Sequence, residues 1–225
     1  MPFQRGPDFT RPGPESMARL AKLEVATLGH TTDFGFPRGL VAVVPGSSFV
    51  GPALTVKIPH LDSTAVHYAI DLIEPGDVLV IDQSGDDNRS SFGGGLAQVA
   101  RIKGAVGAVS NGSTNDVAEL RAMQFPVVSR GATPHTTRVL GIEGAVNVPV
   151  SVGGVVVMPG DIVLADEDGV AVISPHDIDR LAEQLEEKEE RLRVRDRPTA
   201  VRRGEAFAEL TGAQAKFEAG LEGPR

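Results

Sequence analysis

The sequence predicts a mixed α/β domain that is followed by a helical extension. In the middle of the chain, apolar β-branched runs alternate with helical patterns, which is typical of an α/β fold. After Gly141, short valine-rich runs follow one another with no helix-length segment between them, which predicts antiparallel strands. From His176 onward the chain has the charged, periodic pattern of helices.

These observations divide the chain into three parts. Residues 1–14 contain four prolines and are expected to form a flexible N-terminal arm. Residues 15–175 hold the mixed domain, and residues 176–225 form the C-terminal helical extension.

Helices and strands are predicted from the spacing of the apolar residues. Met17, Leu20 and Leu23 predict a helix over residues 15–28. Apolar periodicity predicts further helices at 63–73, 93–102 and 115–123. Short β-branched or apolar runs predict strands at 39–44, 50–58, 78–81, 105–109 and 126–128.

The C-terminal part continues with strands and then helices. Alternating valines predict one strand over 146–152, and the runs at 155–157, 162–164 and 170–173 predict three more. An apolar stripe predicts a helix over 176–195, and a second helix is predicted at 199–218 after Pro198. Such charged helices are either solvated or reach a neighbouring subunit.

Composition narrows the functional class. The 225 residues are 41% hydrophobic, which excludes wholesale disorder, and they include no cysteine, which excludes disulfides and thiolate catalysis. The formal net charge of −8 argues against direct nucleic-acid binding. No apolar run approaches the ~20 residues of a membrane span, and the first residues lack the apolar core of a signal peptide, so we expect a cytoplasmic protein without membrane contact.

The first candidate site is the polar loop that runs from Asp82 into three consecutive glycines, Gly93, Gly94 and Gly95. Ligands of α/β proteins bind where strands end, and free amides at a helix start favour an anion. The spacing matches neither a Walker A loop nor a dinucleotide-binding loop, so it favours a carboxylate or small phosphate over a nucleotide. The alternative is a tight strand–helix turn that binds nothing.

The second candidate site follows the predicted strand at 105–109. Asp116 and Glu119 are three residues apart and share one face of a first helical turn. Two adjacent carboxylates suit a hard divalent cation such as Mg²⁺. The alternative is helix capping by Thr114 or Asn115, with acidic residues favoured by the helix dipole, and the residues alone favour this alternative.

A third cluster, formed by His60, Asp62 and His67, is close in sequence. We do not expect a metal site there, because two of these residues flank a predicted helix start.

Several short motifs occur together in one order, and jointly they resemble a known family. They are GPALTV at 51–56, PGDVLVID at 75–82, GGGLA at 93–97, NG at 111–112, RG at 130–131, GGVVV at 153–157 and PGD at 159–161. Over residues 20–175 the chain is similar to the RraA-like family, which includes regulator of ribonuclease activity A and metal-dependent 4-hydroxy-4-methyl-2-oxoglutarate aldolases. The resemblance implies a swivelling-type β/β/α sandwich, a homotrimer or dimer of trimers, and an active site between subunits.

The resemblance also implies roles for particular residues. The helix-start amides of Gly94, Gly95, Leu96 and Ala97 would hold a pyruvate carboxylate. The family signature is Asp or Gly, then twenty residues, Arg-Asp, and often an acid three residues after the Asp. Here it reads Gly94, twenty residues, Asn115-Asp116 and Glu119.

By this resemblance Asp116 would ligate Mg²⁺ or Mn²⁺, with Glu119 as a second acidic group. The glycine start resembles the RraA-like variant of the signature more than the aldolase variant. Asn115 stands where the family has the arginine that binds the keto oxygen and stabilises the enolate. The metal would then stabilise the enolate alone, or Arg89, Arg121 or Arg130 would replace the missing charge.

The resemblance therefore implies a divalent-metal-dependent carbon–carbon lyase that acts on a 2-oxo acid, as an aldolase or an oxaloacetate decarboxylase. Asn115 and Asp116 would occupy the catalytic positions. Two alternatives stay open because of Asn115. One is a non-catalytic trimeric regulator or binding protein with a ribonuclease partner, and the other is a related reaction on a different acid.

Overall fold

A mixed sheet forms the centre of the molecule. In the computed structural model, which describes residues 2–194 and 196–221, nine strands join into this sheet, and two more form a separate hairpin. The sheet strands are β1 Phe3–Arg5, β2 Val41–Ala42, β3 Phe49–Lys57, β4 Val78–Asp82, β5 Gly107–Ser110, β6 Val127–Ser129, β7 Gly144–Val146, β10 Ile162–Asp166 and β11 Gly169–Ile173. The hairpin consists of β8 Val150–Val152 and β9 Val155–Val157.

Helices connect and follow these strands. They are α1 Pro14–Leu20, α2 Val25–Gly29, α3 Thr64–Ile70, α4 Gly94–Lys103, α5 Val117–Met123, α6 Ile178–Val194, α7 Arg197–Arg202, α8 Phe207–Thr211 and α9 Ala213–Leu221, with a short 3₁₀ turn at Pro175–Asp177. None of the helices in the described ranges is long and apolar enough to cross a bilayer.

Parallel pairing brings the strand ends of the functional region together. β3, β4, β5 and β6 are neighbours in this order and run parallel, while β7 pairs antiparallel with the other side of β3. The carboxyl ends of these four parallel strands therefore meet at one edge of the sheet, where parallel sheets place ligands.

The sheet is covered on both faces, and this makes three layers. Along β4, Leu79 and Ile81 belong to an apolar cluster with α3, α4 and α5, whereas Val78 and Val80 belong to a second cluster with β8, β9 and the β10–β11 hairpin. Because successive side chains of a strand point to opposite faces, both apolar sets are buried. The mixed α/β class that the sequence predicted and the β/β/α sandwich that the resemblance implied are both confirmed.

The expected N-terminal arm contains a short strand: residues 3–5 form β1, which lies parallel to β7. Arg11 donates two hydrogen bonds of 2.8 Å to the buried carboxylate of Asp77, and its guanidinium lies 4.5 Å from the centre of the Phe9 ring. The prolines exclude a helix here. They do not exclude an edge strand, whose partner is distant in sequence and has no local signal.

The predicted helix over 15–28 is wrong as a single element. α1 ends at Leu20, and α2 begins at Val25, whose amide donates to the Asp166 carboxylate over 2.8 Å. Leu20, Leu23 and Leu28 are nevertheless buried. The apolar spacing thus identified the buried face correctly, and a distant carboxylate determines where the second helix starts.

Two other elements are divided by backbone conformation. The predicted strand over 146–152 is interrupted at Asn147, which has a φ of +54°, so that β7 joins the sheet and β8 joins the hairpin. The predicted helix over 199–218 is divided into α7, α8 and α9, with Gly204 at a φ of +92° and Gly212 at +72° between them. Glycine at such an angle ends a helix readily.

The chain forms two units, Met1–Ala182 and Glu183–Arg225. The boundary predicted between residues 175 and 176 thus differs from this division, because the start of α6 contributes Ile178 and Ala182 to the buried apolar residues. The predicted end of that helix at Arg195 lies outside the described residues.

Candidate active site

Three loops lie side by side at the carboxyl edge of the parallel strands. They follow β4, β5 and β6 and cover residues 83–93, 111–116 and 130–143. Ser90 forms bridges to Ser113 and Thr136, and the Thr114 amide donates to the Gly131 carbonyl over 2.9 Å. Backbone hydrogen bonds thus join loops that are far apart in sequence into one surface.

A buried polar network supports this surface from below. The amide of Gln83, which is fully buried, donates to Asn111 Oδ1 over 2.7 Å, and its side chain donates to the Arg89 carbonyl over 3.0 Å. Gln83 Oε1 accepts the Ser91 hydroxyl over 2.8 Å. Asn111 Nδ2 donates to Asp82 Oδ1 over 2.9 Å. These side chains hold the loop ends in one geometry.

Sequence reasoning missed this network. Its only local signal is that polar residues directly follow two apolar strands, at Asp82-Gln83 and Asn111-Gly112. Gly112 is required there, because a Cβ would lie 2.1 Å from Gln83 Oε1.

The two candidate sites come together at the start of α4. Asp116 Oδ2 accepts the Gly94 amide over 3.2 Å, and Asn115 Oδ1 accepts the Ser90 hydroxyl over 2.7 Å. A Cβ on Gly93 would lie 1.9 Å from Asn115 Oδ1, and one on Gly94 would lie 2.2 Å from Glu119 Oε2. Glycine at these two positions therefore lets the Asn115-Asp116 segment approach the helix start.

The four predicted amides are not equivalent. The Gly94 amide is used by Asp116, and the Ala97 amide donates to the Gly93 carbonyl over 2.9 Å inside the helix. The amides of Gly95 and Leu96 have no acceptor in the part of the chain that the structure describes. An anion at this helix start would therefore meet the Gly95 and Leu96 amides first.

A cleft of about 210 Å³ opens at this helix start. Its wall includes Ser90, Phe92, Gly95, Leu96, Asn115 and Asp116. The side-chain oxygen of Asn115 accepts the Ser90 hydroxyl, whereas its side-chain NH₂ group has no acceptor among the described residues. Since that bond orients the Asn115 side chain, its N–H groups are available to a ligand in the cleft.

The predicted capping role fits the structure poorly. Asp116 itself is the N-cap residue of α5, in a left-handed conformation with a φ of 55°, but its side chain makes no capping bond to that helix. Thr114, one of the predicted caps, donates its hydroxyl to the Phe92 carbonyl over 2.5 Å instead. The Asp116 carboxylate is therefore turned towards α4 and away from its own helix.

The donor set fits a hard divalent cation. Asp116 and Glu119 are both exposed, and both carboxylates border Gly94. Mg²⁺ in proteins is commonly held by one or two carboxylates while it keeps several waters. Among the described residues no group of three or more His, Asp or Glu side chains is placed to enclose a metal, so only this open, water-rich kind of site fits.

Comparisons with known proteins assign the chain to a family. The family model described as "RraA-like: Aldolase/RraA" matches residues 25–172, well over half of the chain. The chain belongs to the RraA-like family. The resemblance that the sequence motifs indicated is therefore confirmed, and the matched residues include both parts of the candidate site.

Individual RraA-like proteins show the same relationship. A 4-hydroxy-4-methyl-2-oxoglutarate aldolase of Thermus thermophilus is 35% identical over 125 residues, which are 56% of this chain and 75% of that protein. A protein of Halalkalibacterium halodurans is 37% identical over 148 residues, 66% of this chain and 70% of the relative.

Solved structures extend this relationship to the fold. RraAS2 of Streptomyces coelicolor, described as an unusual member of the RNase ES inhibitor RraA protein family, has 28% identity and a TM-score of 0.73. The match covers 83% of this chain and 98% of that one. The RNA-processing inhibitor RraA from Thermus thermophilis has 30% identity and a TM-score of 0.61. This match covers 68% of this chain and 93% of that one.

Among the described residues, no arginine lines the candidate cleft. Arg121 donates to the Val43 carbonyl over 3.2 Å, Arg130 donates to the Asn111 carbonyl over 2.7 Å, and Arg89 lies 3.4 Å from the Asp86 carboxylate. None of these three arginines is part of the cleft wall among the described residues. The structure thus gives no support to a replacement of the family arginine by Arg89, Arg121 or Arg130.

In the third sequence cluster, the carboxylate of Asp62 is occupied by backbone amides. Asp62 is fully buried, and its carboxylate accepts the amides of Thr64, Leu140 and Ile142. Burial raises the pKa of Asp62, but these hydrogen bonds and the Thr64 hydroxyl lower it well below its ordinary value. Asp62 therefore anchors the loop after β6.

The two histidines of this cluster face different clefts. His67 lines the candidate site, whereas His60 lines a separate cleft of about 370 Å³.

Proposed function

We propose that this chain is a divalent-metal-dependent lyase that cleaves a carbon–carbon bond in a small 2-oxo acid. One observation carries the proposal: two unused amides, at Gly95 and Leu96, lie at the same helix start as the carboxylates of Asp116 and Glu119. A 2-oxo acid has a carboxylate next to a keto oxygen. One end of such a ligand suits helix amides, and the other suits a hard cation.

We assign separate roles in substrate and metal binding to these residues. The Gly95 and Leu96 amides bind the substrate carboxylate, which the N-terminal dipole of α4 also favours. Asp116 and Glu119 hold Mg²⁺ or Mn²⁺, and the Gly94 amide orients the Asp116 carboxylate. A bound divalent ion supplies Lewis-acid polarisation of the keto oxygen. Asn115, oriented by Ser90, donates a hydrogen bond to a substrate oxygen.

The substrate class follows from the relatives. The named Thermus thermophilus relative supports a 4-hydroxy-4-methyl-2-oxoglutarate-type substrate. Decarboxylation of oxaloacetate passes through the same pyruvate enolate, so we propose it as the second reaction of this site. Phe92 and Leu96 give the cleft an apolar side that limits water near the reacting carbon.

Asn115 favours a second candidate function. Loss of a charged donor at a developing oxyanion typically costs ~10²–10³ in rate. In the part of the chain that the structure describes, no arginine lines the cleft in its place. A non-catalytic regulator with a ribonuclease partner is the alternative, and the descriptions of the two solved RraA relatives support it. A related reaction on another acid, to which Asn115 is adapted, is the third candidate.

We further propose that the chain assembles as a homotrimer or a dimer of trimers, as the family resemblance implies. Exposed apolar side chains on the loop after β6, at Val139, Leu140 and Ile142, support burial against another subunit. The cytoplasmic location expected from the sequence stays a prediction.

Metal-dependent release of pyruvate tests the lyase directly. Purified protein loaded with Mg²⁺ or Mn²⁺ is expected to form pyruvate from oxaloacetate and from 4-hydroxy-4-methyl-2-oxoglutarate, and EDTA is expected to abolish the rate. A rate equal to the metal-only background on every 2-oxo acid would favour the regulator.

The metal ligands can be tested by calorimetry with Mn²⁺. Asp116→Ala is expected to weaken Mn²⁺ binding by at least tenfold, because it removes a direct carboxylate ligand, and Glu119→Ala is expected to weaken it less. Asp33→Asn is the matched control, because this exposed acid lies outside the cleft. Unchanged binding in the Asp116 variant would leave that residue with a structural role only.

A further inference from the structure

We propose that the imidazole of His67 transfers the proton in the lyase reaction, and this inference rests on the function proposed above. His67 lies in the last turn of α3, with an exposed side chain that lines the same cleft as Gly95, Asn115 and Asp116. Its backbone amide donates to the Ser63 carbonyl, but its ring forms no hydrogen bond with any residue of the described ranges. The ring nitrogens are therefore available to a ligand.

The other polar side chains of the cleft are poor proton carriers at neutral pH. Ser90 donates its hydroxyl to Asn115, and Ser91 donates its hydroxyl to Gln83. Thr137 donates to the Ser90 carbonyl over 3.2 Å. Hydroxyl groups of this kind ionise far above pH 7 and carry protons only when a base assists them.

Asp116 is also unsuited to this role, because its carboxylate accepts the Gly94 amide and is the proposed metal ligand. Imidazole is the side-chain group that most often transfers protons in neutral solution, and His67 is the histidine among the described residues of the cleft wall. General acid–base catalysis is most effective when the pKa of the group lies near the working pH.

The reaction needs one group that takes and returns a proton. In the cleavage of a 4-hydroxy-2-oxo acid, His67 takes the proton of the 4-hydroxyl group as the C3–C4 bond breaks. The bonding electron pair moves into the C2–C3 bond and onto the keto oxygen, while C4 becomes a carbonyl carbon. His67 then returns the same proton to C3, which becomes the methyl group of pyruvate, so no further reactant is consumed.

The charged groups around α3 have partners other than His67. Asp71, the C-cap residue of α3, pairs with Lys103 of α4 at 3.2 Å. On the elements that pack against α3, Arg101 donates to the Met123 carbonyl, and Lys57 of β3 lies 3.9 Å from the Asp82 carboxylate. β7 carries no charged residue. Asp116 is the charged group that shares the cleft with His67.

The proton step can be measured without carbon–carbon cleavage. Exchange of the methyl protons of pyruvate with D₂O, followed by proton NMR in the presence of Mg²⁺, reports deprotonation and reprotonation of C3 alone. His67→Gln is expected to exchange at least ~100-fold more slowly than the wild type. His60→Gln, which removes an exposed histidine from the neighbouring cleft, is expected to stay within twofold of the wild type.

Two further readouts separate proton transfer from a structural role. The wild-type exchange rate is expected to rise with pH, because the neutral imidazole is the base, and His67→Gln is expected to lose that pH dependence while it still binds oxalate. In ¹⁵N-histidine spectra, pyruvate with Mg²⁺ is expected to shift the ring resonances that His67→Gln removes.

The outcomes are distinct. A wild type that exchanges pyruvate protons, with a His67→Gln variant that exchanges them equally fast, would overturn the role of His67 and leave the lyase intact. Ring resonances of His67 that do not respond to saturating pyruvate would overturn it as well. A wild type that neither exchanges protons nor releases pyruvate from any 2-oxo acid would overturn the lyase function and this inference with it.

Discussion

Asn115 is held in one orientation by two neighbours. The Ser90 hydroxyl donates to its side-chain oxygen over 2.7 Å, and that oxygen lies so close to the backbone of Gly93 that a Cβ there would be 1.9 Å away. The side-chain N–H groups consequently point away from the protein acceptors. The side chain at position 115 is thus a neutral hydrogen-bond donor, whereas the family signature has a positively charged arginine there.

Asn115→Arg is expected to raise oxaloacetate decarboxylation tenfold or more, which corresponds to at least ~1.4 kcal/mol of transition-state stabilisation. A guanidinium near the forming enolate oxygen interacts more strongly with the transition state than with the substrate, so kcat should rise more than KM changes. Steady-state kinetics measures both constants. Asn88→Arg adds the same charge to an exposed position outside the cleft and serves as the control.

An Asn115→Arg protein that binds metal normally but loses activity on its best substrate would support the adapted reaction instead. No change in any activity would show that position 115 does not face the ligand.

At the scale of elements, the loop after β5 packs its backbone directly against a side chain of the loop after β4. Gly112 packs against the buried amide of Gln83, whose oxygen, carbon and nitrogen atoms would all lie within 2.9 Å of a new Cβ. By contrast, nothing lies within 4 Å of the Cβ position of Gly95 in α4. The two glycines therefore serve different purposes, packing in one case and access to a helix amide in the other.

This difference predicts opposite effects of alanine on stability. Gly112→Ala is expected to destabilise the fold by ~1–3 kcal/mol, because the buried Gln83 network must shift. Gly95→Ala is expected to be neutral or slightly stabilising, since alanine favours helix. Thermal or urea unfolding of both variants measures this. Equal stabilities would show that the network relaxes at no cost.

The loop after β6 depends on a buried carboxylate. Asp62 accepts amides from Leu140, Ile142 and Glu143. Burial raises the pKa of its carboxyl, but the hydrogen bonds from Thr64, Leu140 and Ile142 outweigh burial and lower it. Because the pKa of the folded state lies below that of the unfolded state, the stabilisation is fully present above the unfolded pKa of about 3.9 and is lost as the pH falls towards the folded pKa.

Asp62→Asn is therefore expected to lower stability at pH 7 by ~2–4 kcal/mol and to make unfolding less dependent on pH between 2 and 5. Urea unfolding across this pH range provides the measurement. Asp71→Asn, which alters an exposed acid at the C-cap of α3, is the control and should keep the acid dependence of the wild type. An Asp62 variant with an unchanged pH dependence would contradict the proposed anchor.

At the scale of the whole molecule, the sheet separates two apolar layers and leaves one edge polar. The helices α3, α4 and α5 cover one face, and the β8–β9 and β10–β11 hairpins cover the other. At the carboxyl edge the loops meet, and the two apolar layers do not cover this edge. Catalytic and binding residues commonly lie in such loops, which a rigid scaffold positions.

The proposed assembly predicts a definite mass in solution. Light scattering at micromolar concentration should give three or six times the 23.6 kDa of the chain, with no change on tenfold dilution. A family-type site between subunits needs this assembly. A clean monomer mass would contradict the shared site and confine the chemistry to the groups of one chain.

The sequence predicted where the loops of the candidate site lie, because local patterns determine where strands end and helices start. The glycines at 93–95 start α4 directly after a polar loop, as predicted, and Asp116 and Glu119 both border that start. The strands at 50–58 and 78–81 were found within one residue of their ends, since their apolar runs are buried on both faces. The roles of these residues in binding remain predictions.

Other features were decided by contacts between distant parts of the chain. The N-terminal strand exists because β7 offers it a partner, and α2 starts at Val25 because the Asp166 carboxylate accepts its amide. The Asn115–Ser90 bond and the Gln83–Asn111 network join residues that follow different strands. No local pattern in the sequence indicates which distant residue becomes the partner. What the sequence determined by itself is which segments form the layers and which loops are polar. Only the tertiary structure decided which amides, carboxylates and ring nitrogens face one cleft, because parallel pairing of distant strands brings their ends together.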